Sequence, residues 1–424
     1  MTDPTDPKAP RPITRYQATW VLPVTSRPIR GGWVEVRDDT ITGVGPLDDP
    51  CETRGSSSSA GVQADRVVDL SGHVLLPALV NAHTHLELSG LRTRVPPAET
   101  MPAWAREAMR SMVDYPPDDV SIRGAVDEAR ATGTGLFADI SNTGASAGVL
   151  ARTGAPGVVF SELLGFDVRD GSDAVARTLA ALRKRIGDHR GAGDLRPGLA
   201  AHAPYSVSPA LFRSIRQVVD DEPSMRISVH LAESREELAF LETGRGAWRT
   251  VLEERGRWDP TWVPYLGGTV AYLDDFGWLT SRTLVVHGVQ LNDRELERLA
   301  QAGTTLVTCP RSNQWTGAGL PPVGRFYASG TPVAIGTDSL ASAPDLSMFR
   351  EMAEVRRLAP DVPASDILSS ATRVGAEALG FPDRGAIEVG GKAALISVRC
   401  PEELDDVEEY LLTGIDSDQV AVID

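Results

Sequence analysis

The sequence predicts an α/β protein, an eight-stranded (β/α)8 barrel joined to a small β-sandwich made from the N- and C-terminal segments. Three observations predict it. From Val74 onward, eight apolar strand-like runs alternate with amphipathic helical stretches, the rhythm of a parallel sheet covered by helices. The segments before Val74 and after Asp383 read instead as short strands without helices. Five of the seven histidines, together with Asp338, stand at or near the ends of the apolar runs, where a barrel of this kind places its chemistry.

The elements follow in order. Met1 to Arg15 is rich in Pro, Asp and Thr and lacks the apolar stretch of a signal peptide, so it reads as a short disordered arm. Tyr16–Leu22, Gly32–Arg37 and Thr40–Val44 are strand-like, with a turn at Asp38-Asp39 giving hairpin logic. Cys51 to Asp65, with four consecutive serines, reads as a loop, and Arg66–Leu70 as a further strand. The barrel strands are expected at Leu75–His83, Gly135–Ile140, Gly157–Leu164, Gly198–Ala203, Arg226–Leu231, Thr283–Val289, Thr305–Cys309 and Pro332–Thr337. Most are continuous apolar runs, as parallel strands buried on both faces require. Ser208-Pro209 starts a helix whose Leu211, Ile215, Val218 and Val219 line one face, Asn292 starts another, and Gly380 stops a helix over Ser365–Leu379. Gly385–Val389 and Ala394–Val398 return to strand character. The expected organisation is therefore 1–73 and 384–424 in the sandwich and 74–383 in the barrel.

Composition narrows function. The chain has 424 residues, 42% of them hydrophobic, enough for a large core. With 42 basic and 58 acidic residues the net charge is −16, which repels nucleic acid and anionic membranes and leaves a small molecule as the expected partner. No run of about twenty apolar residues suggests a membrane span. Cys51, Cys309 and Cys400 are widely spaced, without a CxxC, which fits a reducing compartment and an expected cytoplasmic location.

The chemistry rests on the histidines. His83-Thr84-His85 ends the run Val74–Val80, and two imidazoles two residues apart on a strand point the same way. His202, His230 and His287 end other runs, and Asp338 follows the last. A single buried histidine is ordinarily a core residue; several at strand ends, with a carboxylate, suggest a metal site. His83, His85, His230 and Asp338 supply three nitrogens and one oxygen, a catalytic donor set for zinc that leaves room for water. An ion there lowers the pKa of its water toward neutrality. Glu233, three residues past His230, is placed to shuttle protons. His287 is assigned to orienting or polarising substrate or water, and Asp338 is also a candidate to accept the proton of the water.

The stretches Pro77-Ala78-Leu79-Val80-Asn81-Ala82-His83-Thr84-His85, His202-Ala203-Pro204-Tyr205-Ser206, His230-Leu231-Ala232-Glu233-Ser234, Cys309-Pro310-Arg311-Ser312-Asn313 and Gly336-Thr337-Asp338-Ser339 resemble the amidohydrolase superfamily. Within it, the chain resembles the cytosine deaminase-like branch of aminopurine deaminases and chlorohydrolases. The resemblance spans nearly the whole chain. It implies one divalent ion per chain, zinc or alternatively iron, with ligands His83, His85, His230 and Asp338, and with Glu233 as proton shuttle. It also implies His287 as the sixth-strand histidine, His202 as a substrate contact, Trp104 as an aromatic packing on substrate, and a possible homodimer. No lysine ends the fourth strand, so a carboxylated-lysine bridge between two metals is not expected. Two positions depart from relatives: Gly288 follows His287 where Cys is frequent, and Gly391–Leu395 lacks a customary acidic residue.

Other motifs carry less. Gly144-Ala145-Ser146-Ala147-Gly148 fits G-x-S-x-G but needs a strand-to-helix elbow to mean anything. His85-Leu86-Glu87 fits the H-x-E of nucleobase-editing deaminases, but their cysteine pair is missing, and Glu87 reads as structural. Gly133-Thr134-Gly135 precedes a strand rather than following one, and Arg183-Lys184-Arg185 reads as a solvated helix face. The leading function is hydrolytic deamination of an aminopurine nucleoside or base, with aminodeoxyfutalosine, an adenine nucleoside of menaquinone synthesis, first among substrates. The alternatives are hydrolysis of another C–N or C–halide bond on the same scaffold, and a catalytically silent binding protein, disfavoured because every ligand-type residue is present.

Overall fold

The computed structural model describes residues 12–47, 64–189 and 193–423. The chain opens with β1 (Ile13–Val21), β2 (Ile29–Arg37), β3 (Thr40–Pro46) and β4 (Arg66–Pro77). It then runs through β5 (Leu79–Thr84), β6 (Thr134–Ser141), β7 (Gly157–Leu163), β8 (Leu195–Ala201), β9 (Ile227–Leu231), β10 (Thr283–His287), β11 (Thr305–Thr308) and β12 (Val333–Ile335), and ends with β13 (Leu395–Arg399) and β14 (Val420–Ile423). Strands β5 to β12 pair in sequence order, all parallel. Helices separate them and supply the outer layer; the helix Pro209–Asp221, capped by Ser208, turns Leu211, Phe212, Ile215 and Val219 inward.

The barrel closes between its first and last strands through a seam that is polar. The Thr337 and Asp338 N–H groups donate to the His83 carbonyl at 3.1 and 3.0 Å, Thr84 Oγ1 donates to the Asp338 carbonyl at 2.9 Å, and Asn81 Nδ2 donates to Thr337 Oγ1 at 2.7 Å. Gly336 makes the approach possible: a Cβ there would lie 2.7 Å from the His83 carbonyl oxygen and 2.8 Å from its Cβ. The seam therefore sets His83 beside Asp338.

The remaining strands form one six-stranded mixed sheet in the order β14-β13-β4-β1-β2-β3, built from both ends of the chain. Side-chain alternation divides its faces. Leu75 and Leu395 join Tyr16, Val34, Ile41 and Ile387 in one core. Val74, Leu76, Ile396 and Val398 pack instead with Phe349, Met352 and Val355 of the helix Met348–Leu358.

Several local expectations shift. Ile13–Arg15 lie in β1 rather than in an arm, and most of the expected loop Cys51–Asp65 lies outside the described residues. Leu75–Pro77 belong to β4, paired with β13, because Pro77 has no N–H to carry the ladder onward and the chain changes sheets at Ala78. Gly385–Val389 is not a strand: Gly385 and Gly390 turn the chain at φ 80° and 92°. The helix expected over Ser365–Leu379 is two helices, Ala364–Ser370 and Arg373–Leu379, because the Ala371 carbonyl accepts from Val80 N–H of β5 instead of continuing the helix. Gly380 ends the second one in the left-handed conformation, as expected. No helix among the described residues is long and apolar enough to cross a membrane.

Candidate metal centre and cavity

Three strand ends bring the four expected ligand residues together. His83 lies in β5 and His85 just beyond it; His230 lies in β9, and Asp338 follows β12. His85 Nε2 is 3.3 Å from His230 Nε2, which is 3.4 Å from His83 Nε2. Asp338 Oδ1 is 3.9 Å from His83 Nε2 and 3.7 Å from His85 Nε2. All four residues are buried.

These distances fit a divalent cation. Zinc–nitrogen bonds of about 2.0–2.1 Å imply tetrahedral edges of about 3.3–3.4 Å between donors. The protonation pattern agrees. Burial, followed by the neighbouring imidazoles, holds His83 well below the usual histidine range, and burial lowers His85 and brings His230 to about 4. His230 Nδ1–H donates to the His202 carbonyl at 2.7 Å, so its Nε2 lone pair faces the other imidazoles. The His230 lone pair and the neighbouring Nε2 atoms of His83 and His85 lie at the spacing that a shared cation would satisfy. Burial pushes the Asp338 carboxyl up, and the Ser312 hydroxyl, donating to Oδ2 at 2.5 Å, opposes that shift.

Glu233 and His287 border the cluster, with Glu233 Oε1 3.6 Å from His287 Nε2. Burial, then Asp338 and Glu237, raises Glu233 well above the usual carboxylate range, which favours its protonated form. Burial keeps His287 neutral, and Asn313 Nδ2 donates to its Nδ1 at 3.0 Å, which leaves the ring proton on Nε2. The backbone here is strained: Ala232, His287 and Asp338 have φ of 50°, 76° and 59°, each costing about 1–3 kcal/mol. Glu237 secures the first of these turns by accepting from Ala232 N–H at 2.8 Å and Glu233 N–H at 3.0 Å.

The cluster opens into a cavity of about 440 Å³. One end holds His85, His230, Glu233, His287 and Asp338; the rest is a mainly apolar arm that includes Met101, Trp104, Leu164, Phe166 and Trp248 and also carries Arg255 and Arg257. His202 and Trp104 both line it. His202 Nδ1 lies 2.6 Å from Ser206 Oγ, whose own proton goes to the Ala203 carbonyl, and burial brings the imidazole to about 4. His202 is thus neutral with its proton on Nδ1.

The sequence reading missed Glu162, Asn142, Ser312, Asn313 and Glu237. Glu237 carried a readable signal in the Ser234-x-x-Glu237 spacing of a helix cap, and Ser312 and Asn313 lay in the motif Cys309–Asn313 without being given roles. Glu87 is structural as expected: its carboxylate accepts from Ser141 Oγ, Thr143 Oγ1 and the N–H groups of Asn142, Thr143 and Ala145. Ser146 is fully buried in the helix Ala145–Thr153, not at an exposed elbow. Arg183, Lys184 and Arg185 lie on an exposed helix face.

Comparison with known proteins agrees with this geometry. The chain is 30% identical to a 5-methylthioadenosine/S-adenosylhomocysteine deaminase of Moorella thermoacetica, over 95% of this chain and 91% of that protein. It is 32% identical to the aminodeoxyfutalosine deaminase of Deinococcus radiodurans, over 73% and 74% of the two chains. Among solved structures, a zinc-bound adenosine deaminase from Xanthomonas campestris superposes with TM-score 0.79 at 26% identity, covering 98% of this chain and 92% of that one. The aminofutalosine deaminase of Helicobacter pylori, in complex with methylthio-coformycin, superposes with TM-score 0.81 at 25% identity, covering 94% and 95%. The amidohydrolase family pattern matches residues 74–413, most of the chain, and this chain belongs to that family.

Proposed function

We propose that the protein is a metal-dependent deaminase that hydrolyses the exocyclic amine of an adenine nucleoside. One observation carries this reading: His83, His85 and Asp338 cluster, His230 lies against both histidines, and the buried Glu233 borders them at the end of one cavity. His83, His85, His230 and Asp338 would hold the ion. When bound, a divalent ion supplies a water activated near neutral pH.

The chain's own groups do the rest. Glu233 donates its proton to the ring nitrogen beside the amine-bearing carbon, drawing electron density from that carbon. His287 directs its Nε2–H toward the attacking water. Asp338 accepts one proton of the water and passes it to the departing amine, which leaves as ammonia while the remaining hydroxyl proton returns to Glu233 and the carbonyl forms. Ser312 and Asn313 hold Asp338 and His287 in place. His202 and Trp104 contact the substrate.

The arm, apolar side chains together with Arg255 and Arg257, supports a nucleoside enlarged at its 5′ position, first aminodeoxyfutalosine, then 5-methylthioadenosine and S-adenosylhomocysteine. Both deaminase relatives act, by name, on adenine nucleosides substituted at the 5′ position. The test is ammonia release by the zinc-loaded enzyme from these three, adenosine and guanine. Release from an adenine nucleoside is expected; none from any of them, with metal bound, would overturn the reading.

A further inference from the structure

Glu162, at the end of β7, has no part in the chemistry described above, yet it is among the most deliberately placed groups in the cavity. Its side chain is 3% exposed. Oε2 accepts from Asn142 Nδ2 at 2.7 Å, and Asn142 is itself fixed by its N–H bond to Glu87. Oε1 has no partner. The nearest imidazole, His230, approaches to 3.7 Å through Nδ1, but that N–H is already given to the His202 carbonyl. For the same reason Glu162, His202 and His230, although clustered, do not form a second ion site. A buried acceptor oxygen without a donor is costly, and this one lines the cavity where a ligand enters.

Position identifies the donor. The Nε2 side of His230 carries His83 and His85, and Glu233 lies with His287; the reacting base belongs there. Glu162 and His202 gather on the Nδ1 side. The residues just after Glu162, namely Leu164 and Phe166, line the apolar arm. Glu162 therefore stands between the reacting end and the arm. In a nucleoside with a 5′ substituent, what lies between base and substituent is the sugar, and its free donors are hydroxyls. We propose that Glu162 Oε1 accepts a hydrogen bond from a ribose hydroxyl and makes the enzyme selective for ribonucleosides. This rests on the reading that the cavity takes an adenine nucleoside.

The test compares kcat and KM for the best adenine nucleoside of the panel with its 2′-deoxy and 3′-deoxy forms, in the zinc-loaded wild type and in Glu162→Gln. In E162Q the amide oxygen keeps the Asn142 contact and turns an NH2 into the cavity, replacing an acceptor with a donor. In the wild type, removing the bonded hydroxyl should lower kcat/KM roughly ten- to hundred-fold, mostly through KM. In E162Q the ribonucleoside should fall to the level of its deoxy form, with metal content unchanged. Equal turnover of all three compounds by the wild type overturns the proposal without any variant, while leaving the deaminase reading intact. Discrimination that survives in E162Q overturns it as well. Absence of turnover with every adenine nucleoside would overturn the functional reading and this proposal together.

Discussion

The cavity end of the barrel and the six-stranded sheet are built from the same backbone element but on opposite terms. In the sheet, alternation puts apolar residues such as Ile41 and Leu395 inside, and Asp38 takes positive φ only at the tight turn between β2 and β3. At the cavity end, four histidines and three acids (Glu162, Glu233, Asp338) are buried, and three non-glycine residues hold positive φ. The sheet minimises its free energy residue by residue. The cavity end stores strain and desolvated polar groups that the rest of the barrel must support. Stability and chemistry are thus separable in this molecule, and substitutions can test how far.

The largest separation is expected at His230. His230→Ala removes one proposed donor and should lower activity at least about ten-thousand-fold by depleting the ion. It should cost little stability in metal-free protein, because it also removes a buried imidazole from a crowded group. Metal content after dialysis and thermal unfolding of the apoprotein check both halves. Glu233→Gln should cost about a hundred- to ten-thousand-fold in kcat while retaining the ion; loss of metal instead would mean that Glu233 is structural. Ile41→Ala, in the sheet, should do the reverse. It should lower unfolding free energy by about 2–5 kcal/mol and leave kcat and metal content of the folded enzyme unchanged. A fall in kcat there would break the comparison.

The smallest effect concerns Asp139 on β6, which is buried with one oxygen bonded to Leu86 N–H and the other unpartnered. Burial raises its carboxyl to about 8 from the ordinary 3.8. The folded state therefore keeps a proton that the unfolded chain releases. From about pH 4 to about pH 8 the unfolded state binds fewer protons, and stability falls as pH rises. Asp139→Asn should flatten that decline, which denaturant melts at pH 5 and pH 8 measure.

The barrel was legible because buried parallel strands are written as continuous apolar runs and helix starts as capping residues. The convergence of His83, His85, His230 and Asp338 was legible because barrel strands deliver their ends to one mouth. What could not be read has a common cause. Glu162 and Asn142 matter through contacts with residues distant in sequence, and nothing local distinguishes them from surface polar residues, while Ser312 and Asn313 lay in a noted motif whose spacing does not say what they touch. The change of sheets at Ala78 was hidden for the opposite reason: Leu75 to Val80 is a single apolar run that three different cores share.

That shared run has a consequence for biosynthesis. β4 passes with one intervening residue into β5, and β4 is flanked on one side by β13, which the ribosome makes more than three hundred residues after β4. The strand bearing His83 is therefore half-anchored while the chain is still being translated, and Asp338 has not yet been made for most of that time. An ion held jointly by His83 and Asp338 would therefore find its full set of ligands only after the late strands have docked on the early ones.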